Sequence, residues 1–247
     1  MARHRFLKNA PIREAIVDLK IAPVIETAKL TPLLESLKPR FPTQEVLQQS
    51  TFGFQFGPHE MHSSRVDRGM HGGRLTSADG KYIVQLRVDG FTFSRLPPYE
   101  TWERMRENAK PLWEEYIRHS GAEKVTRAAV RYINVMDLPL PIQDFNEYLA
   151  APPQVPGSLP QEVSGFFSRV IIVHRELDVA AVVTQVLETS VENNVQVILD
   201  IDVFREARER DWPAGDPSVW EALEQMRDFK NRVFFESVTE KAAELFE

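Results

Sequence analysis

Apolar and polar residues alternate with a period of two along several stretches of this chain, the pattern of strands that bury one side. From Glu14 to Ile21, Ala15, Val17, Leu19 and Ile21 fall on one side. Glu14, Asp18 and Lys20 fall on the other, with Ile16 among them. A second strand is predicted from Glu45 to Phe56, with Phe52, Phe54 and Phe56 sharing a face. Between residues 57 and 73 the glycines and histidines predict a connection holding at most a short strand near residues 64–67. Arg74 to Ser77 and Lys81 to Arg95 then flank Asp79-Gly80, a two-residue hairpin signal. The stretch KYIVQLRVDGFTFSRLPPYETWER organises the rest: a strand runs through Gly90 into Phe91, Thr92 and Phe93, stops at Pro97-Pro98, and hands over to a helix carrying Trp102.

Helical spacing appears at Leu30, Leu33, Leu34 and Leu37, behind Pro32 at a helix start and before Pro39. A longer helix is predicted from Pro98 to His119, with Pro111 inside it and therefore a kink or break there. The second half follows the same order. A strand from Glu123 to Met136 leads to a short helix from Ile142 to Leu149 and a Pro-rich connection. Strands near residues 164–175, 179–189 and 195–204 come next, and a final helix from Ser218 to Phe246 breaks near Ser237.

The two halves, 1–120 and 121–247, both read β-α-β-β-β-α at an offset of roughly 115 residues, far beyond a solenoid repeat. AIVDLKIAP echoes AVRYINVMDLP, STFGF echoes SGFFS, and Pro98 to Glu103 echoes Pro217 to Glu221. The expected fold is therefore α+β: one continuous unit with a mainly antiparallel sheet built from two pseudo-repeated halves. Its two long helices are expected to pack on one face.

Composition narrows the function. The 247 residues carry a net charge of -6, which argues against nucleic acid as a partner because phosphate backbones demand clustered cations. The absence of cysteine excludes disulfides and thiolate chemistry and fits a reducing compartment. The N-terminus lacks the apolar core of a secretory signal, and no stretch approaches the ~20 apolar residues needed to span a bilayer. The expected location is cytoplasmic, away from membranes.

The segments NAPIREAIVDLKI, GFTFSRLPPYETWE, RAAVRYINVMDLP and VILDIDVF, with FFESVTE in the last helix, together span nearly the whole chain. In these it resembles a family of sporadically distributed bacterial proteins of about this length with no established activity. The resemblance implies a bacterial accessory gene, of the kind found in defence or toxin-antitoxin modules. It implies no catalytic residue and no cofactor.

Candidate chemistry lies on the polar sides of the strands. Gln85, Arg87 and Asp89, Arg127 and Arg131, and Asp200 and Asp202 join Asp18 and Lys20 there. On neighbouring strands these residues form cross-strand ion pairs on a solvated face, or a groove for a phosphorylated small molecule built by Lys20, Arg87, Arg131, Asp200 and Asp202. The pair Asp18-x-Lys20 is similar to the opening strand of triphosphate tunnel enzymes, although Ile16 stands where an earlier acid belongs. Asp200 and Asp202 share a side of one strand ~6.5–7 Å apart, a spacing that takes a divalent cation only when a third acid or a phosphate joins.

His59, His62 and His71 with Glu60 lack a regular metal-binding frame, and His174 ends an apolar strand as a turn or core residue. No nucleophile elbow, phosphate loop or dinucleotide fingerprint is present. The turn Arg95, Pro97, Pro98 and Tyr99 mixes charge, rigidity and an aromatic ring, as a partner-binding loop does; the competing reading is a stiff turn with Tyr99 and Trp102 packed inward. The leading expectation is a non-catalytic interaction protein with a protein partner, no cofactor and no metal. The oligomeric state is left open.

Overall fold

The computed structural model describes residues 1–56, 61–188, 194–207 and 212–247, without the side chains of 50–56 and 61–68. It is a mixed α+β protein, mainly one large antiparallel sheet of ten strands, with four α-helices among the described residues.

β1 (Ile12–Ala22) and β6 (Lys124–Pro139) lie side by side at the middle. One flank continues through β5 (Gly90–Arg95), β4 (Tyr82–Arg87) and β3 (Met61–Thr76) to β2 (Thr43–Phe56). The other continues through β9 (Asn194–Glu206) and β8 (Val179–Leu187) to β7 (Phe167–His174). β10 (Trp212–Pro213) adds a short pairing to the start of β6.

Register turns the alternation of the sequence into two faces. Ala15, Val17 and Leu19 stand opposite Tyr132, Val130 and Ala128, and all six are buried. One residue out of phase, Ile16, Asp18 and Lys20 stand opposite Arg131, Ala129 and Arg127 on the other side.

α1 (Thr31–Leu37) is short, and its Leu33 and Leu37 are buried. The helix α2 (Trp102–Ser120) is 19 residues long; the Thr101 hydroxyl accepts from the Arg104 N–H at its start, and Gly121 closes it at φ 68°. Such a left-handed residue is the ordinary helix ending, and glycine takes it without a Cβ penalty. Of the kink or break expected at Pro111, the break does not occur: α2 continues through the proline. Pro111 and Glu107 are both exposed, so the carbonyl that loses its N–H partner meets water. Trp113 and Tyr116 of α2 pack on Phe91.

The 20-residue α3 (Ser218–Ser237) sets Phe229 against His174 and Lys230 over Tyr132. It ends before Val238, near the break expected at Ser237, and α4 (Glu240–Glu244) follows with Thr239 as its cap.

Three elements differ from expectation. The single strand expected from Lys81 to Arg95 is two, β4 and β5, which pair as a hairpin about Val88 and Asp89. β3 is a 16-residue strand where the sequence predicts a connection. Gly72 and Gly73 are there for close approach: a Cβ on Gly72 would sit 2.1 Å from the Leu86 carbonyl oxygen, and one on Gly73 would meet Leu34 at 2.5 Å. The helix expected from Ile142 to Leu149 is only a 3-10 turn at Phe145–Glu147, whose flanking Leu149 bridges to Val238. The aromatic face expected of Phe52, Phe54 and Phe56 lies outside the described side chains.

Candidate functional site

The polar side of the sheet holds one continuous ladder of alternating donors and carboxylates across five strands and a turn. His71 Nε2 on β3 lies 3.1 Å from Asp89, in the β4–β5 turn. Arg87 of β4 donates to the same carboxylate at 3.3 Å and reaches Asp18 of β1 at 2.9 Å. Arg127 of β6 donates to the other Asp18 oxygen at 3.2 Å and to Asp202 of β9 at 3.1 Å. Beside the ladder, Arg131 grips Asp200 with two bonds of 2.9 and 2.6 Å, the bidentate geometry that suits a guanidinium to a carboxylate.

Local sequence explains why these bonds form. Arg87 stands opposite Gly90, and Gly90 opposite Lys20 of β1. A Cβ on Gly90 would lie 3.0 Å from the Arg87 guanidinium and 2.4 Å from the Leu19 carbonyl oxygen. Glycine therefore lets the arginine cross over β5 to β1. Thr92, opposite Asp18, accepts from Arg87 and donates to Asp18 at 2.7 Å, which fixes the carboxylate between two guanidiniums. Phe204, opposite Ala129, floors the Arg127 guanidinium at 4.7 Å.

Burial shapes the electrostatics. Asp202 is half-buried, and its desolvation raises the carboxyl above its ordinary value against the pull of Arg127 and Arg131. Arg131 is the open member of the set, with its side chain 46% exposed.

The predicted ligand residues Lys20, Arg87, Arg131, Asp200 and Asp202 thus lie on one side of the sheet, but in three arrangements. Arg87 and Asp202 belong to the ladder. Arg131 and Asp200 form their own pair. Lys20 is exposed and enters no ion pair among the described residues. The structure makes Asp18 and Arg127 the ladder's centre, two residues that the alternation placed on this face but that the predicted ligand set left out.

A cavity of about 430 Å³ opens nearby, at the β7–β8 turn and the end of β9, where Arg205 bonds to the Leu177 and Asp178 carbonyls. None of the predicted ligand residues lines it.

The turn after β5 is built from below. Arg95 is only 3% exposed, donates to Glu100 at 3.0 Å, and lies over the Tyr82 ring at 4.6 Å. The hydroxyls of Tyr99 and Tyr132 share a 2.9 Å hydrogen bond, and burial pushes the Tyr99 phenol up to about 12. Pro97, Pro98 and Glu100 face solvent. The reading of this turn as a surface that presents Arg95 and Tyr99 is therefore corrected in part: those two side chains are tied into the fold, and the prolines remain outside.

Sequence reasoning passed over Lys230. Its amine sits 3.5 Å from the centre of the Tyr132 ring and 2.6 Å from the Asn231 side-chain oxygen. Burial lowers it to about 7, with the nearby Arg227 pushing the same way. The signal was present, since Lys230 falls in the apolar stripe Leu223, Met226 and Val233 at helical spacing.

Of the histidines, His71 belongs to the ladder. Nδ1 of His174 accepts the Leu177 N–H at 3.3 Å, as befits a turn residue. His59 and Glu60, and the side chain of His62, lie outside the described residues. Among the described residues no three His, Asp or Glu side chains are grouped to hold a metal ion. Nor is any helix among them long and apolar enough to cross a membrane.

Fold and face together define an α+β protein whose antiparallel sheet carries a ladder of paired charges. No family model and no curated protein matches the chain.

Proposed function

We propose that the chain is a non-catalytic interaction protein of a bacterial accessory module, of the defence or toxin-antitoxin kind, working in the cytoplasm. On this reading it meets a protein partner through the charged side of its sheet. The observation that carries this is the pairing within the ladder. Arg87 and Arg127 already give their donors to Asp18, Asp89 and Asp202, so a phosphate would have to displace carboxylates that hold the strands in register.

A protein surface needs only complementary charge at the rim. Lys20 and Arg131 supply two exposed cations, which suit a partner presenting carboxylates. The exposed Pro97 and Pro98 are a second contact region on the same reading. The bacterial accessory setting rests on the resemblance carried by NAPIREAIVDLKI and GFTFSRLPPYETWE.

We also propose that the two halves are a duplication, with α2 and α3 as equivalent helices over one face, β2 as an addition to the first half and the Phe145–Glu147 turn standing where the first half has α1. The strand order supports this: outward from the middle, β1-β5-β4-β3 on one side matches β6-β9-β8-β7 on the other, and each series is followed in sequence by a long helix.

The second reading, a sensor or enzyme for a phosphorylated small molecule, is favoured by one observation: Lys20 and Arg131, both exposed, share a face with Asp200 and Asp202. Thermal denaturation with nucleotides, inorganic triphosphate and Mg²⁺ separates the two. The interaction reading expects no shift of the midpoint. A rise that disappears in Arg131→Ala overturns it in favour of the ligand, because binding to the native state stabilises by mass action.

A further inference from the structure

β7 ends the sheet, yet its sequence is that of an interior strand. Phe167, Val170, Ile171, Ile172 and Val173 are 41–70% exposed, five large apolar side chains on a strand of eight residues. The register with β8 sorts them onto both faces. Val170 and Ile172 stand opposite Val183 and Ala181 on the side of the helices, while Phe167, Ile171 and Val173 stand opposite Val186, Val182 and Ala180 on the open side. The other end of the sheet is different, since β2 carries Gln44, Glu45, Gln48 and Gln49 in its described part. Natural sheets blunt a free edge with charge, proline or brevity, and β7 has a single charge, Arg169, within its span.

The backbone of this edge is also unspent. Leu187 donates to the Phe166 carbonyl at 3.0 Å, so the main-chain groups of Phe166 point at β8. Alternation along the strand then turns those of Phe167, Arg169, Ile171 and Val173 outward.

We propose that a second copy of this chain pairs with β7, antiparallel, about a two-fold axis at Ile171. Self-pairing follows from three properties of the edge. A two-fold axis yields antiparallel neighbours, which continue an all-antiparallel sheet without interruption. A partner strand must be apolar on both faces to cover this one, and β7 has that pattern itself. In this register Ile171 meets Ile171, Val170 meets Ile172, and Arg169 meets Val173 of the second copy, so the arginines stay apart while Phe167 faces Arg175. A pairing limited to one eight-residue edge strand is a small contact beside the ~800 Å² per partner of a standard interface. Association at micromolar concentration follows. This dimer uses the edge of the sheet and stands or falls apart from any partner of the charged side.

Sedimentation velocity from about 0.1 to 100 µM, a range that brackets such an interface, tests the proposal. The chain is expected to pass from monomer to dimer, and Ile171→Lys to remain monomeric throughout with an unchanged melting midpoint. Ile171→Pro removes an outward N–H without touching the β8 ladder and serves if the lysine variant fails to fold. The chain has no cysteine, so a single Ile171→Cys is expected to link two copies through a short bismaleimide. A chain monomeric at every concentration overturns the proposal, as does a dimer that survives both substitutions or resists the cross-linker.

Discussion

Two cations flank β6 from opposite sides, and their surroundings differ as sharply as any in the molecule. Arg127, on the open side, lies between Asp18 and Asp202 with Phe204 beneath it. Lys230 reaches the covered side from α3 and finds a tyrosine ring, an amide oxygen and the like charge of Arg227. Arg127 pairs with two carboxylates, at the cost of bringing them partly out of water. For Lys230 the cheaper course is to give up the proton, since an ammonium without a carboxylate is expensive in a dry layer. One sheet thus accommodates buried nitrogen in two ways, by pairing where water is near and by a weakened hold on the proton where it is not.

The largest effect that would break this contrast is expected at Asp18, which accepts from Arg87, Arg127 and Thr92 at once. Asp18→Ala leaves two guanidiniums facing each other between β1, β4 and β6. A fully buried pair broken on one side costs ~3–5 kcal/mol, and partial exposure reduces this to about 2–3 kcal/mol. Urea denaturation measures it. A loss below about 0.5 kcal/mol, the scale of an ordinary surface substitution, would mean that the ladder decorates the sheet without holding it.

On the covered side the sign reverses. Lys230→Met keeps the stem and removes the amine, so stability at pH 7 is expected to rise by about 1 kcal/mol, since replacing buried charge with a packed apolar group is neutral to stabilising. The pH dependence makes the same point. The unfolded chain holds the Lys230 proton up to its ordinary value of 10.5, while the folded chain releases it near 7. Between those values the unfolded state binds more protons, so stability climbs with pH from about 7. Tyr99, Tyr116 and Tyr132 act oppositely above their ordinary value of 10.0, where burial keeps their protons on in the folded state alone. Melts taken from pH 6 to 10 should therefore rise in the wild type and flatten in Lys230→Met. Arg227 and Asp228 on α3, with Tyr132 on β6, are the charged and titratable neighbours left unchanged in that comparison.

The sequence made the open side more legible than the covered one. Alternation along residues 14–21 and 123–136 was enough to put Asp18, Lys20, Arg127 and Arg131 on a common polar side. It could not tell which carboxylate each arginine would meet, because the pairs span 69 to 109 residues and depend on strand order and register. Gly90 illustrates the gap: alternation carries one strand straight through it, and only the fold shows that it opens β5 and that its missing Cβ makes room for Arg87. β3 was misread for a similar reason, since Gly72 and Gly73 signal a loop until the Leu86 backbone and the Leu34 side chain are in place. β7 shows the reverse situation. A continuous apolar run reads as a strand buried on both faces, whereas here it is the uncovered edge.

The smallest expected effect sharpens the contrast within the open side itself. Asp202 shares one guanidinium with Asp18, but the two carboxylates are not equivalent. Asp18 has three donors, whereas Asp202 has one bond from Arg127 and a desolvation penalty that raises its carboxyl above the ordinary value. Asp202→Asn removes the penalised charge, keeps an oxygen for Arg127, and leaves that arginine neutralised by Asp18. The expected loss at pH 7 is under about 1 kcal/mol, well below that of Asp18→Ala. Because the folded Asp202 holds its proton to a higher pH than the unfolded one, its own contribution to stability falls as pH rises from the ordinary value of 3.8 through the raised one. Denaturation of Asp202→Asn and wild type between pH 3 and 7 should show the variant losing that decline. If Asp202→Asn cost as much as Asp18→Ala, Arg127 would have to be held chiefly from β9, and the centre of the ladder would move from β1 to the β6–β9 pair.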